Sequence, residues 1–286
     1  MIDNRVFGNI FHEAAQLIYT QLMEKNHQIT GDDLEQLLRK KADIERAVDQ
    51  AISQELFHIP YPEPHPSPLT PHSSPLTPHS SPSLSGLQII NRAVIIHYLR
   101  QLLTIDRRLA PFTVEGLETD VAMPLANQSP TSSLQSQITL SVGGRIDRLD
   151  RIVKDGREQI RVIDYKTGSH VPTPLSGVEA IFDPDQLKNH SDYYLQTFLY
   201  SIIVSRRHPG TAVSPALLFI QHAGGDDYSP VLKFGKDYID DVAPHADTFM
   251  QLLTAVIAEI FDPAIPFEPT HDRSRCASCP YRMLCY

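Results

Sequence analysis

The sequence has no apolar run approaching the ~20 residues a helix needs to cross a bilayer, which removes a membrane-spanning protein from the reading. Its opening residues, MIDNRVFGNIFHEAA, carry acids and no apolar h-region, so they do not read as a secretory signal, and a cytoplasmic location is expected. It also lacks a basic surplus. A formal net charge of −9 and a pI near 5.8 disfavour a protein that coats nucleic acid by charge alone. That objection does not reach a site in which carboxylates hold a metal, because they count as negative until a cation is bound. Cysteine is scarce as well. Cys276, Cys279 and Cys285 are the only three and all fall in the last eleven residues, which excludes a disulfide framework and turns attention to metal or cluster ligation.

What is present suffices for a core: 41% of the 286 residues are hydrophobic and 21% are charged, the balance of a soluble domain. Phe11, Ala14, Ala15, Ile18 and Leu22 recur at helical spacing. After a break at Gly31, so do Leu34, Leu37, Leu38, Val48 and Ile52, with Asp32 and Asp33 suiting the start of that run. Between residues 60 and 85 the composition turns to Pro and Ser, and SPLTPHS occurs twice in tandem at Ser67–Ser73 and Ser74–Ser80. Such a stretch has too little apolar surface to bury and reads as a disordered insertion. A helix is expected over Leu87–Leu109, then strands over Phe112–Leu125, Gln137–Val153 and Gln159–Tyr165. A further helix over Asp185–Arg207, strands over Pro215–Gln221 and Val231–Phe234, and a last helix over Pro244–Phe261 complete the order. Helices, antiparallel strands, helix, strand, helix imply an α/β fold around a mixed sheet.

The most informative stretch is GGRIDRLDRIVKDGREQIRVIDYKTG. Asp155-Gly156 between two β-rich runs signals a two-residue hairpin turn. Lys154 then faces Arg157, and counting outward sets Asp150 against Arg161, Leu149 against Val162, Asp147 against Asp164 and Arg145 against Lys166. Opposed residues share a face with Cβ atoms roughly 4.5–5.5 Å apart, and Asp164 and Lys166 share it by strand alternation. Leu149 and Val162 would floor a polar cluster, and Asp150 with Arg161 would pair on the opposite face. Two carboxylates and an ammonium at a strand end can bind a hard divalent cation, acidify its water and stabilise charge on a phosphate. The same three groups could also be a charged hairpin whose acids pair with Arg145 and Lys166. The arginines and lysines of the hairpin (Arg145, Arg148, Arg151, Lys154, Arg157, Arg161, Lys166) form a local basic stretch, readable as a phosphate contact or as a solvated surface.

Asp147 followed by Asp164-Tyr165-Lys166 resembles the motif of the PD-(D/E)XK nucleases, in the form found in RecB-like exonucleases. Gly8-Asn9-Ile10-Phe11-His12 is similar to the G-x-x-x-H helix of that family, whose histidine is a metal ligand, and Gln196 and Tyr200 to its Q-x-x-x-Y helix. Four residues apart, these two share one helical face. The resemblance implies a restriction-endonuclease-like core, a central mixed sheet flanked by helices with a helical N-terminal part, in a single nuclease domain over residues 1–286. It implies metal-dependent hydrolysis of DNA by Mg²⁺ or Mn²⁺ held by His12, Asp147, Asp164 and the Tyr165 carbonyl. Lys166 would assist the nucleophile while Gln196 and Tyr200 position the strand or the lysine.

Cys276-x-x-Cys279-x-x-x-x-x-Cys285, in a tail spanning residues 271–286, resembles that of the iron–sulfur subgroup, which includes AddB and the CRISPR-associated exonucleases. There a fourth cysteine upstream of the G-x-x-x-H helix completes a [4Fe–4S] cluster, which ordinarily takes four thiolates. The seven residues before Gly8 contain no cysteine, so this chain departs from the pattern. A fragment whose longer form carries the cluster is expected, with the cluster absent or incomplete here. A lost cluster, three plain thiols on a C-terminal helix, or a zinc site with His271 are the other readings. By resemblance the partners are DNA, as single strands or duplex ends, and a helicase domain or subunit of a recombination-repair machine. The rival functional readings are a non-catalytic DNA-end-binding scaffold and a site-specific endonuclease.

Overall fold

The computed structural model describes residues 3–25, 28–59, 84, 86–125, 140–222, 228–268, 273–277 and 279–284. Apart from Leu84, the Pro/Ser-rich insertion lies outside these residues, as do His271 and Cys285.

Four helices come first: α1 (Asn4–Lys25), α2 (Gly31–Arg39), α3 (Lys41–Phe57) and α4 (Leu87–Leu109). α1 buries Phe11, Ala14, Ala15, Ile18 and Leu22, the residues that its 3.6-residue periodicity aligns. α2 starts at a capping box: the Thr30 hydroxyl accepts from Asp33 N–H at 3.3 Å and the Asp33 carboxylate accepts from Thr30 N–H at 2.9 Å. The run expected as one helix after Gly31 breaks at Lys40 (φ −89°, ψ 69°), which frees α2 to pack on α4 while α3 packs on α1.

The sheet follows, with β1 (Thr113–Leu125), β2 (Leu140–Lys154), β3 (Arg157–Lys166) and β4 (Ala212–Phe219) in that spatial order. β1–β2 and β2–β3 are antiparallel and β3–β4 parallel, so the sheet is mixed, as expected. The parallel pair is joined through α5 (Ser191–Arg207). The helix expected from Asp185 is interrupted: a 3-10 helix, Pro184–Asn189, ends at His190 in the left-handed region (φ 57°), and α5 begins after it. A small hairpin of β5 (Lys233–Phe234) and β6 (Asp237–Tyr238), shorter than the strand expected there, and helix α6 (Ala246–Ile260) complete the ordered elements. The cysteine segment forms 3-10 turns, Arg273–Ala277 and Arg282–Leu284, in place of a helix.

β3 and β4 are buried on both faces. Ile163, Tyr165, Ala216 and Leu218 pack into the layer of α1–α4, while Ile160, Val162, Leu217 and Phe219 pack under α5 and α6. The hairpin turn has both central residues at positive φ (Asp155 51°, Gly156 75°), as a two-residue turn matched to strand twist requires. From it the predicted register holds: Lys154 with Arg157, Asp150 with Arg161, Leu149 with Val162 and Arg148 with Ile163.

The basic stretch of the hairpin is largely consumed by ion pairs. Arg148 is fully buried, its guanidinium forked onto Asp106 of α4 (2.6 and 2.8 Å) with Nε 3.2 Å from Asp150. Arg161 forks onto the other side of Asp150 at 2.7 and 2.9 Å, the pair expected from the register. Tyr19 of α1 donates its hydroxyl to Asp106, and the Tyr19 and Phe112 rings each lie 5.0 Å from the Arg148 guanidinium. Two arginines and two aspartates balance in charge, and together they tie α1 and α4 to the middle of β2. Arg145 and Arg151 sit in surface pairs with Asp120 and Glu115. These pairs, more than a free basic face, account for the hairpin's charge.

Candidate active site

Below Arg148 the β2–β3 ladder stops, and this is where the candidate residues lie. The expected pairings of Asp147 with Asp164 and of Arg145 with Lys166 do not form, since the ladder ends at Arg148–Ile163. The Tyr165 N–H donates instead to the Asp147 carboxylate, Oδ2, at 2.6 Å. A side chain has taken the place of a backbone acceptor, and the β2–β3 pairing ends at the two aspartates. Beyond that point β2 stays paired with β1 and β3 with β4.

The divergence is shared by β1. Glu118 would stand opposite Asp147, but it adopts a left-handed backbone (φ 46°) that non-glycine residues rarely occupy. Around it the strands change the face they bury. Leu117 packs towards the helical layer, whereas Val121 and Met123 pack under α5; Arg148 faces the helices, whereas Ile146 packs under α5. The twist turns the Glu118 and Asp147 carboxylates towards α1. His12 meets them there, its Nδ1 3.3 Å from Asp147 Oδ1 and 3.5 Å from Glu118 Oε1. Two helical turns along α1, Tyr19 is fastened to the buried Asp106–Arg148 pair, which fixes the helix against the strand that carries Asp147.

One ligand atom from each of His12, Glu118 and Asp147 lies within 4.8 Å of the others. Donors about 2.1 Å from a common Mg²⁺ are at most about 4.2 Å apart, so a small closure suffices. Burial disfavours the charged imidazole of His12, but hydrogen bonds and charge from Asp147 and Glu118 outweigh it and push its pKa up to about 10. In this state the histidinium joins the two carboxylates, as a cation would.

Asp164 and Lys166 stand at the end of β3. Burial and the charge of Asp147 push Asp164 up to about 6 despite the attraction of Lys166 and His12. Its buried Oδ2 is paired with Lys166 Nζ at 2.6 Å, and the carboxylate keeps further acceptor capacity that a divalent cation could use. Burial likewise disfavours the charged form of Lys166, yet Asp164, and Asp147 beyond it, hold its pKa above the ordinary lysine value. The lysine therefore keeps its proton. Its ammonium also sits 4.4 Å over the ring of Tyr193 on α5.

Gln196 and Tyr200 lie on α5, half-buried and buried respectively. Tyr200 packs against the bare backbone of Gly144, where an added Cβ would fall on its hydroxyl. The glycine thus admits the tyrosine beside β2, three residues before Asp147. Two neighbours escaped the sequence reading. Glu118 carried no signal, because a lone acid in a strand has no motif and its exposure to the site depends on a positive φ. Tyr193, three residues before Gln196 on the same helix, could have been found from that spacing.

A family model of the PD-(D/E)XK nuclease superfamily matches residues 2–286. The chain belongs to that superfamily. Within this PD-(D/E)XK fold, 84 residues are 37% identical to the B-type subunit of the ATP-dependent helicase/deoxyribonuclease of Listeria welshimeri serovar 6b and, equally, of Listeria monocytogenes serotype 4a. The counterpart in Listeria innocua serovar 6a is likewise 37% identical over 84 residues. These matches cover 29% of this chain and 7% of each relative. Among the described residues of this PD-(D/E)XK superfamily member no helix is long and apolar enough to cross a membrane.

Proposed function

We propose that this chain hydrolyses DNA phosphodiester bonds, as an exonuclease, with Mg²⁺ or Mn²⁺ held between α1 and the strand ends. The observation that carries the reading is the convergence of His12, Glu118 and Asp147 beside the buried Asp164–Lys166 pair. His12, Asp147 and Asp164, with the Tyr165 carbonyl, would hold the ion, and Glu118 adds a ligand. Bound there, a divalent cation supplies an acidified water and positive charge against the phosphate.

The protein's own groups do the rest. Asp147 spends Oδ2 on the Tyr165 N–H, which leaves Oδ1 aimed at the site. Lys166, protonated, acts as a cation that orients the attacking water and stabilises the charge that builds on the phosphate; it does not act as a base. Gln196 and Tyr200 would position the strand or the lysine. The printed name of the Listeria relatives, a helicase/deoxyribonuclease subunit, supports a DNA substrate and work alongside a helicase; recombination repair, with single strands or duplex ends as substrate, is the setting that we propose for it. The three-cysteine tail supports an iron–sulfur site, to which this sequence brings three of the usual four thiolates.

End-labelled single-stranded and duplex DNA and closed circles, incubated with the protein in Mg²⁺, Mn²⁺ or EDTA, test the proposal. Degradation from ends in either metal and none in EDTA is expected. Cleavage unaffected by EDTA contradicts the mechanism, and DNA binding without cleavage in any metal assigns the fold to a non-catalytic end-binding scaffold.

A further inference from the structure

Lys166 sits between two unlike neighbours. Its ammonium is 2.6 Å from Asp164 Oδ2 on one side and 4.4 Å from the centroid of the Tyr193 ring on the other. Tyr193 opens a row on α5: with Gln196 and Tyr200 it stands at i, i+3 and i+7, positions that share one helical face. Along that face Tyr200 packs against Gly144 of β2, while Tyr193 reaches the end of β3. The ring that α5 lays on the lysine is therefore not the tyrosine of the Q-x-x-x-Y pair.

The Tyr193 ring is itself held. His190 stacks on it at 4.4 Å and 11°, and two groups that close to one centroid occupy opposite faces, so the lysine has one face and the imidazole the other. Phe219 of β4 approaches the same ring at 6.4 Å. His190 is placed by its left-handed backbone (φ 57°), with Asp192 Oδ1 3.6 Å from its Nδ1. Asn189 before it clamps Thr173, in the loop that follows β3, accepting from its N–H at 2.8 Å and donating to its carbonyl at 3.0 Å. With both faces covered, the ring has little room to turn away from the ammonium.

We propose that Tyr193 is a positioning residue for Lys166: its ring face braces the ammonium against Asp164 and aims the remaining N–H at the attacking water and the phosphate. The inference rests on the nuclease reading of that site. An ammonium has three N–H donors. Asp164 occupies one side of it and the negative face of the ring another, which leaves one donor for a substrate. A lysine on its flexible four-carbon stem otherwise spreads over many rotamers. Holding a catalytic group in one geometry raises the rate of the chemical step more than the affinity for the substrate. The ring supplies this brace, and the Tyr193 hydroxyl has no part in it.

The test reads kcat and KM separately on labelled DNA in saturating Mg²⁺, with thermal melts and NMR of the whole chain carbon-labelled at lysine. Tyr193→Leu should lower kcat about 2- to 30-fold, the span of a cation–π contact between exposed and desolvated sites, with KM and melting temperature unchanged. Tyr193→Phe keeps the ring and should rescue kcat. A trifluorinated phenylalanine at the same position keeps the shape but drains negative charge from the ring face, and should lose as much as Tyr193→Leu. The lysine ε-CH₂ signal that disappears in Lys166→Ala should be shifted upfield by the ring in the wild type and in Tyr193→Phe, and should move back in Tyr193→Leu. Wild-type kcat in the leucine and fluorinated variants, a loss in Tyr193→Phe, or a lysine signal that does not move overturns the brace. With an active wild type, such results leave the nuclease reading standing. A wild type that degrades no DNA in Mg²⁺ or Mn²⁺ overturns that reading, and the positioning role with it, whatever the signal shows.

Discussion

His12 Nδ1 lies 3.3 Å from Asp147 Oδ1, which joins the first helix to the second strand of the sheet across 135 residues of sequence. The contact is the centre of the site. It exists because Tyr19, further along the same helix, is anchored to Asp106 and Arg148, and because β2 leaves β3 at Asp147.

The ligand assignment predicts separable losses. Glu118→Gln keeps the size of the side chain and removes its charge, so metal affinity should fall roughly 10-fold or more, in line with losses at groups that tune a metal site, while the melting temperature stays close to wild type. His12→Ala should act in the same direction and more strongly. Titration of cleavage with Mn²⁺, beside thermal melts, reads both. Unchanged metal dependence in both variants would remove α1 and β1 from the site.

The buried ionic chain predicts a different phenotype. Arg148→Ala leaves Asp106 and Asp150 without their shared cation and should cost about 3–5 kcal/mol in urea unfolding, the usual penalty for breaking a buried pair. Arg148→Met, which fills the volume, should also be destabilising because both acids remain. A loss below about 1 kcal/mol for the alanine variant would mean that water reaches this cluster.

Gly144→Ala tests the fit of Tyr200. The new methyl would fall on the tyrosine hydroxyl and close to two ring carbons, so destabilisation of about 1–3 kcal/mol is expected, as for overpacking. Adding Tyr200→Phe should recover only part, since the ring carbons still crowd the methyl. Full recovery would show that the hydroxyl alone sets the contact.

The cysteines predict a colour. Cys276 and Cys279 are half-buried across a turn in which Cys279 N–H donates to Cys276 O at 3.3 Å, and Cys285 is outside the described residues. Purified without oxygen, the chain should be colourless or hold well under four irons per molecule, because three thiolates do not complete the usual site. A full [4Fe–4S] complement by iron and sulfide assay would require a fourth ligand that is not a cysteine.

Much of this was legible in the sequence where the information is local. Asp155-Gly156 fixed the hairpin register as far as Arg148, including the Asp150–Arg161 pair, because turn type and alternation leave little freedom. The motif residues His12, Asp147, Asp164 and Lys166 do come together. The divergence at Asp147 was not legible, since it depends on a carboxylate outcompeting a backbone acceptor for the Tyr165 N–H. Nor was the burial of Arg148, whose partner Asp106 lies 42 residues away on another element. The break at His190 was hidden too, because a single left-handed histidine leaves no mark in the apolar pattern.

The most direct test compares wild type with Lys166→Ala and Asp164→Asn on labelled single-stranded DNA in Mg²⁺, with circular dichroism melts of all three. The account predicts degradation by the wild type, its loss by a factor of about 100 or more in each variant, and melts that keep the cooperative transition. Near-normal turnover by either folded variant would contradict it.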